Sequence, residues 1–180
     1  MKRWAWAIVA LCLGLGVAQA WAHSASRQKI VETIDVAAPV DKVWAIVKDF
    51  DALAKWHPGV ASSAADKGNA AGSVRIVVLK APGDPKIVEE LLSYNDAGHT
   101  YHYGAAHDDV KVLPVTNYVS WLTVGDDGHG GSTVEWKAAF FRGDPNFDPP
   151  PQLNDDAAVV AVTGVYRPGL ENLKKLAEAQ

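Results

Sequence analysis

The sequence has one cysteine and one methionine, and neither lies in the part of the chain that we expect to fold. Cys12 belongs to an N-terminal segment with the features of a cleavable export signal. Without that segment the chain has no thiol, which excludes a disulfide, a thiolate metal site and a cysteine nucleophile. Residues 23–180 must therefore be stabilised by a packed core, and one domain of this length can supply it.

Positive charge is also scarce. The chain has 17 Lys and Arg against 21 Asp and Glu, for a net charge of −4. Loss of the two basic residues at positions 2 and 3 with the export signal changes −4 to −6. A protein with this balance offers no broad positive surface to nucleic acid or to anionic lipid, so neither is an expected partner.

The N-terminal segment predicts secretion. A basic pair at positions 2 and 3 precedes an apolar run from Trp4 to Ala20, and alanines at 18, 20 and 22 form two overlapping cleavage motifs. We expect residues 1–22 to be a signal peptide, with cleavage before Trp21 as the alternative. The run is interrupted by glycine and falls short of the ~20 apolar residues of a membrane helix. The expected location is the periplasm, with no membrane span after cleavage.

The rest of the chain predicts a single α+β domain at 29–180, preceded by a flexible leader at 23–28. Alternation of apolar and polar residues predicts antiparallel strands at 29–36, 72–79, 86–94, 101–103, 117–124 and 133–142. Helical spacing of apolar residues predicts two short helices after the first strand, over 40–50 and 51–56.

A long helix is expected at the C-terminus. After the prolines at 149–151, Asn154 or Asp155 can cap a helix that runs to about Glu178, with a kink at Pro168. A curved sheet of so few strands cannot close on itself, so the helix must cover its concave face. A cavity is expected where helix and sheet diverge.

Several short motifs carry a family resemblance. They are Trp56-His57-Pro58, Leu113-Pro114-Val115, Val134-Glu135-Trp136-Lys137, Phe141-Arg142-Gly143-Asp144 and Leu153-Asn154-Asp155. With these motifs the domain resembles the START/Bet v 1-like (SRPBCC) superfamily, in its polyketide cyclase/dehydrase-like branch. The resemblance implies a helix-grip fold, in which a curved antiparallel sheet wraps around the C-terminal helix, with an internal cavity and no shared catalytic constellation.

Within that branch the chain is most similar to the MxaD family of periplasmic accessory proteins of bacterial methanol oxidation. This resemblance implies a role in supporting electron transfer from methanol dehydrogenase to its cytochrome c, which makes these two proteins the expected partners. The proline-rich loop, residues 144–152, is expected to be stiff and exposed. It carries Phe147 and is the expected contact surface. The alternative is that this loop serves only to lead into the terminal helix.

The histidines do not predict a metal site. His99 and His102 are three apart in an expected strand, so they point to opposite faces. His107 and His129 lie in expected loops without a spaced partner. We therefore expect no metal and no cofactor.

Two neighbouring strands carry charges at positions where apolar residues are expected. Arg75 interrupts an apolar run, and a hairpin that turns near Gly83 places Glu89 almost opposite it. We expect an inward-facing ion pair, because an unpaired buried charge is too costly. The alternative places Arg75 in solvent and turns Glu90 inward. His57, at a helix end, is either a local cap that packs Trp56 or a polar group at the cavity mouth.

Aromatic residues complete the candidate site. Tyrosine and tryptophan rings, which carry polar groups, are more numerous here than the packing of an apolar core explains, and this favours a binding site. The residues expected to line the cavity are Trp44, Trp56, His57, Arg75, Glu89, Tyr101, Tyr103, Tyr118, Trp136 and Phe140. The expected function is that of a non-catalytic accessory or binding protein. The alternatives are a carrier of a small hydrophobic ligand, or a polyketide cyclase or dehydratase that uses Glu89, Arg75 or His57.

Overall fold

The computed structural model describes residues 24–179, so the expected signal peptide and His23 lie outside the described part of the chain. The strands are β1 (Gln28–Val36), β2 (Val60–Ala65), β3 (Val74–Leu79), β4 (Lys86–Asn95), β5 (Thr100–His107), β6 (Val115–Asp126) and β7 (Ser132–Arg142). The helices are α1 (Val40–Val47), α2 (Leu53–Trp56) and α3 (Asp155–Glu178), with a 3-10 turn at Pro151–Leu153.

The seven strands form one antiparallel sheet in the order β1-β7-β6-β5-β4-β3-β2. From β2 to β7 each strand pairs with the next along the chain, and β1 completes the sheet by pairing with β7. Alternate residues of β7, such as Val134 and Trp136, face α3 and are buried, as period-two alternation requires. The expected helix-grip architecture is confirmed.

One strand was not predicted. β2 has the sequence Val-Ala-Ser-Ser-Ala-Ala and lies at the edge of the sheet, paired only with β3. Small and hydroxylated residues give little strand preference, and most of these are exposed or half-buried. Its pairing to β3 therefore depends on tertiary contacts that a short sequence window does not contain.

The helix α3 begins where its cap predicts. The Asn154 side chain accepts a hydrogen bond from the Ala157 amide at 2.8 Å, which satisfies one of the free N–H groups of the first turn. The helix is continuous through Pro168. Its buried face has the spacing expected of a helix packed on a sheet: Ala158, Val162, Tyr166, Leu170, Leu173 and Ala177. Among residues 24–179 no helix has the combination of length and apolarity needed to cross a membrane.

Candidate functional site

A cavity of about 240 Å³ lies between α3 and the concave face of the sheet. Strands β3 to β7, the segment after α2 and one side of α3 all contribute to its wall. Its main apolar side chains are Leu53, Val60, Val77, Leu79, Ile87, Leu113, Trp136, Val162 and Val165. Its polar side chains are His57, Lys80, Glu89, Tyr103, Tyr118 and Tyr166. An apolar wall with few polar groups is the usual composition of a small-molecule site.

The mouth of the cavity is marked by the lining residues that are exposed. These are Gly59, Lys80, Ala81 and Gly164. A Cβ atom added at Gly164 would meet no other atom within 4 Å, so the helix borders open space at this position. Entry to the cavity therefore lies between α3 and the turn that follows β3.

A cluster of buried hydroxyl groups lies between α3 and strands β5 to β7, at the wall of the cavity. The Tyr166 hydroxyl lies 2.5 Å from the Tyr118 hydroxyl and 2.6 Å from Ser120 Oγ. Trp136 Nε1 donates to the Tyr103 hydroxyl at 2.9 Å and to Ser120 Oγ at 3.1 Å. We call these five residues the hydroxyl cluster. Its members satisfy one another, which lets polar groups remain in an apolar wall.

Burial keeps the tyrosine hydroxyl groups of this cluster protonated. It raises the pKa of Tyr118 to about 12, and it raises the pKa values of Tyr103 and Tyr166 well above the ordinary value. The phenols therefore stay neutral at physiological pH. They can donate and accept hydrogen bonds, but they do not supply a phenolate base or nucleophile.

Ring packing holds α3 against the sheet beside the cavity. The rings of Trp136 and Tyr166 are stacked, with centroids 4.1 Å apart and planes 8° from parallel. On its other side Trp136 contacts Trp56, at a centroid distance of 5.3 Å. The position of the helix, and with it the width of the cavity, depends on these three rings.

Arg75 and Glu89 lie directly opposite each other on β3 and β4. Glu89 Oε2 accepts hydrogen bonds from Arg75 Nε at 2.9 Å and from Nη2 at 2.6 Å, and Nη1 donates to the Phe50 carbonyl at 2.6 Å. Both side chains face inward, whereas Glu90 is half-buried on the opposite face of β4. Burial acts to lower the pKa of Arg75, but the adjacent Glu89 carboxylate together with Tyr101 and Tyr103 raises it further than burial lowers it, so the guanidinium stays charged.

His57 joins two separate parts of the chain at the cavity. Its Nε2 lies 2.8 Å from the Val165 carbonyl, and because a carbonyl can only accept, Nε2 carries the proton. Its Nδ1 accepts a hydrogen bond from the Gly59 amide at 3.1 Å. Burial lowers the pKa of the imidazole, so it is neutral with both nitrogens in use. The two roles expected for His57 coincide, since it lines the cavity and also makes local hydrogen bonds.

Gly169 allows α3 to approach His57 closely. A Cβ atom at this position would lie 2.6 Å from His57 Cδ2 and 2.9 Å from Trp136 Cζ3. Any side chain larger than hydrogen would therefore push the helix away from the sheet or displace the imidazole.

The cavity contains half of the side chains expected to line it. His57, Glu89, Tyr103, Tyr118 and Trp136 line it. The others lie in the surrounding core: Trp44, Trp56, Arg75, Tyr101 and Phe140 are buried but are not among its lining residues.

Three of these core residues make specific contacts outside the cavity. Arg75 lies behind Glu89, with its guanidinium 4.1 Å from the centroid of the Phe50 ring. Trp44 Nε1 donates to Asp96 Oδ1 at 2.7 Å, and its ring packs 6.1 Å from that of Tyr101. The aromatic residues near α1 therefore fill the end of the core that is distant from the cavity mouth.

Sequence reasoning missed the aliphatic part of the wall and one tyrosine. Leu79, Ile87 and Val162 line the cavity but look like any inward-facing core residue in the sequence. Tyr166 was recognisable, because it is the only tyrosine of α3 and lies on the buried side of that helix. A polar-tipped ring on the helix face that covers the sheet was the available signal.

The histidines are dispersed. His99 lies in a turn, 3.4 Å from Asp41, and His102 stacks on Trp121 with ring centroids 4.2 Å apart. Within residues 24–179 no group of three or more His, Cys, Asp or Glu residues is placed to hold a metal ion.

Comparison with known families gives one match that covers the whole domain. A family model described as polyketide cyclase/dehydrase and lipid transport matches residues 27–178. That range includes every strand and helix of the structure. No curated protein matches the chain significantly.

Solved structures share the architecture. The protein XoxI from Bacillus cereus is 26% identical over 82% of this chain and 94% of its own, with a TM-score of 0.68. A protein from Thermobifida fusca is 26% identical over 83% of this chain and 92% of its own, with a TM-score of 0.65. Truncated norcoclaurine synthase from Thalictrum flavum is 16% identical over 87% and 97%, with a TM-score of 0.66, which is similarity of fold alone.

Proposed function

Because the chain belongs to the polyketide cyclase/dehydrase and lipid transport family, we propose that it binds a small, mostly apolar molecule in the cavity beside α3. The observation that carries the proposal is the cavity itself, about 240 Å³ with a largely apolar wall. An apolar cavity of about 150 Å³ is already enough to bind benzene. A ligand of one ring with a substituent, or of two small rings, fits the available volume.

The same residues argue against acid–base catalysis as the first function. His57 and Glu89 both line the cavity, but His57 uses both ring nitrogens in structural hydrogen bonds. Glu89 is held by Arg75 through one of its oxygens. A cyclase or dehydratase that uses Glu89 as its base is the alternative function, since a carboxylate in an apolar cavity can accept a proton from a bound substrate. Turnover that is lost in Glu89→Gln would favour this alternative.

Filling the cavity tests the binding proposal. Leu79 is a half-buried residue of the cavity wall, and Ile76 lies on the outer face of the same strand at 46% exposure. We expect Leu79→Trp to abolish the binding of ethylbenzene, which is measured by the changes that the ligand causes in the NMR spectrum of the protein. Ile76→Trp adds the same ring outside the cavity and should bind as the wild type does. Binding that is retained in Leu79→Trp, or absent from the wild-type protein, would refute the proposal.

We further propose that this binding protein works in the periplasm as an accessory to methanol oxidation, with methanol dehydrogenase and its cytochrome c as partners. The support is the layout of the N-terminal segment together with the motifs of the MxaD-like resemblance. One of these motifs contains Arg142, whose Nε donates to the Asp144 carbonyl at 2.8 Å and whose Nη2 donates to the Asn146 carbonyl at 2.7 Å. These bonds hold the start of the proline-rich loop.

The loop presents an apolar side chain to solvent, since Phe147 is 64% exposed. A side chain displayed on an anchored loop loses little conformational freedom on docking. The test compares dye-linked with cytochrome-linked methanol oxidation in a strain that lacks this protein. Loss of the cytochrome-linked rate alone, restored by the wild type but not by Phe147→Ala, is the expected result. Rates that are unchanged from the parent strain in both assays would remove the methanol proposal and leave the cavity-binding proposal intact.

A further inference from the structure

The carboxylate of Glu89 has one oxygen that makes no hydrogen bond within the described part of the chain. Both bonds from Arg75 end on Oε2, and Oε1 has no donor among residues 24–179. The side chain is only 8% exposed, and the residue lines the cavity. A strong acceptor is therefore left without a protein partner at the wall of an apolar cavity.

The hydroxyl cluster does not supply a hydrogen bond to Glu89 Oε1. Tyr118 and Tyr166 bond to each other, and Ser120 Oγ lies within hydrogen-bond distance of both Tyr166 and the Lys137 carbonyl. Each of these oxygens already has a partner in the protein. Tyr103 also lines the cavity, where its hydroxyl accepts a hydrogen bond from Trp136. Glu89 Oε1 is thus a charged acceptor of the cavity wall whose hydrogen bonding a ligand can complete.

We infer that the ligand carries a neutral hydrogen-bond donor, a hydroxyl or N–H group, directed at Glu89 Oε1, with a ring packed on the apolar wall. The inference rests on the proposed binding function and specifies its ligand class. A carboxylate in that place would be repelled by Glu89. An ammonium group would add a second positive charge beside Arg75, whose own charge is already matched by Glu89.

The ring follows from the composition of the wall. Trp136 and the tyrosines of the hydroxyl cluster contribute aromatic rings to the wall, and Leu79 and Ile87 supply aliphatic contacts. A small aromatic or alicyclic alcohol satisfies both requirements. Its ring takes the place of water against the apolar wall, and its hydroxyl group donates a hydrogen bond to the free carboxylate oxygen.

Benzyl alcohol and anisole test this class, since they are similar in size but only the alcohol can donate a hydrogen bond. Their dissociation constants are measured by calorimetry or NMR titration in the wild type, Glu89→Gln and Glu90→Gln. In Glu89→Gln the amide oxygen is needed as acceptor for Arg75, so the amide N–H₂ group faces the cavity. We expect the preference for the alcohol over anisole to fall about tenfold or more, the size of one charge-assisted hydrogen bond. Glu90→Gln removes the neighbouring charge on the opposite face and should leave the preference unchanged.

The outcomes distinguish a failure of the donor inference from a failure of the cavity-binding proposal. If both probes bind and Glu89→Gln leaves their ratio unchanged, the donor inference is wrong and cavity binding stands. If neither probe binds the wild type, both fail together. If Glu89→Gln does not fold, a crystal structure of the wild-type benzyl alcohol complex decides. A ligand hydroxyl within hydrogen-bond distance of Glu89 Oε1 supports the inference, and one placed on the hydroxyl cluster overturns it.

Discussion

His57 donates a hydrogen bond to the backbone carbonyl of Val165, a residue 108 positions further along the chain. The bond connects the segment after α2 to the middle of α3, and both segments border the cavity. Because the other ring nitrogen accepts from Gly59, the imidazole cannot gain a proton without losing that second bond. The connection is therefore sensitive to pH, and its direction can be worked out.

We expect His57 to make the folded protein less stable as the pH falls below about 6.5. Burial lowers the pKa of His57 in the folded state, so the unfolded chain takes up the proton first. The stabilisation is complete above about pH 6.5 and is progressively lost below it. Urea unfolding at about pH 7.5 and about pH 5 should show a smaller pH effect in His57→Gln than in the wild type. His129→Gln, in an exposed turn, is the control, and an equal pH effect in wild type and His57→Gln would contradict the prediction.

Gly169→Ala should destabilise the protein although alanine favours helices. The added Cβ would lie 2.6 Å from His57 Cδ2, and such crowding in a packed core costs about 1–3 kcal/mol. Gly164→Ala, in the same helix, adds a Cβ with no atom within 4 Å and should stabilise by up to about 1 kcal/mol. Denaturant unfolding of the two variants measures both changes. Equal effects at the two glycines would show that the close approach is not a constraint.

Arg75→Met alone should destabilise the folded protein more than replacing both Arg75 and Glu89 does. Removing one partner leaves the Glu89 carboxylate buried without its counter-charge, a loss of about 3–5 kcal/mol. The double variant Arg75→Met with Glu89→Met removes both charges and should recover a large part of that loss. A double-mutant cycle on the free energies of unfolding measures the coupling. Additive effects of the two substitutions would show that the pair contributes nothing to stability.

The tyrosines should resist ionisation as long as the protein is folded. All five have raised pKa values, chiefly because burial disfavours the charged phenolate: about 12 for Tyr118 and for the half-buried Tyr94, and well above the ordinary value for Tyr101, Tyr103 and Tyr166. At about pH 11 free tyrosine is mostly ionised. We expect little tyrosinate absorbance from the folded protein at that pH, and full absorbance after urea is added. Absorbance beyond that of a single tyrosine in the folded state would show that tyrosines other than the half-buried Tyr94 are open to solvent, which would contradict the prediction.

The sequence contained enough information for six of the seven strands and for the charged pair. The hairpin between β3 and β4 made Arg75 and Glu89 neighbours, and the cost of an unpaired buried charge favoured the arrangement in which both face inward, whereas alternation alone left the inward faces of the two strands open. Both signals are local, since they depend on residues less than 15 positions apart. β2 was missed for the complementary reason, because its small residues carry no local preference.

Alternation did not show how far along a strand the cavity extends. Tyr101 and Tyr103 share a face of β5, but only Tyr103 lines the cavity. Tyr101 lies two residues further from the mouth, where Phe50 and Trp44 pack against it at 6.1 Å between ring centroids. The position at which helix and sheet separate depends on how α1 and α3 pack, and no period within one strand records that.

The pairing of β1 with β7 also has a consequence for the order in which the chain can fold. Gln28 is in register with Phe140, and Glu178 near the end of α3 accepts a hydrogen bond from the Ala37 amide at 2.8 Å. The first strand thus receives its neighbour only after most of the chain has been made, so assembly cannot proceed stepwise from the N-terminus. Contacts this distant in sequence make folding slow and leave early strands exposed until synthesis is nearly complete. A chain truncated before β7 would present β1 as an unpaired strand, the kind of segment that chaperones bind and that aggregates when they do not.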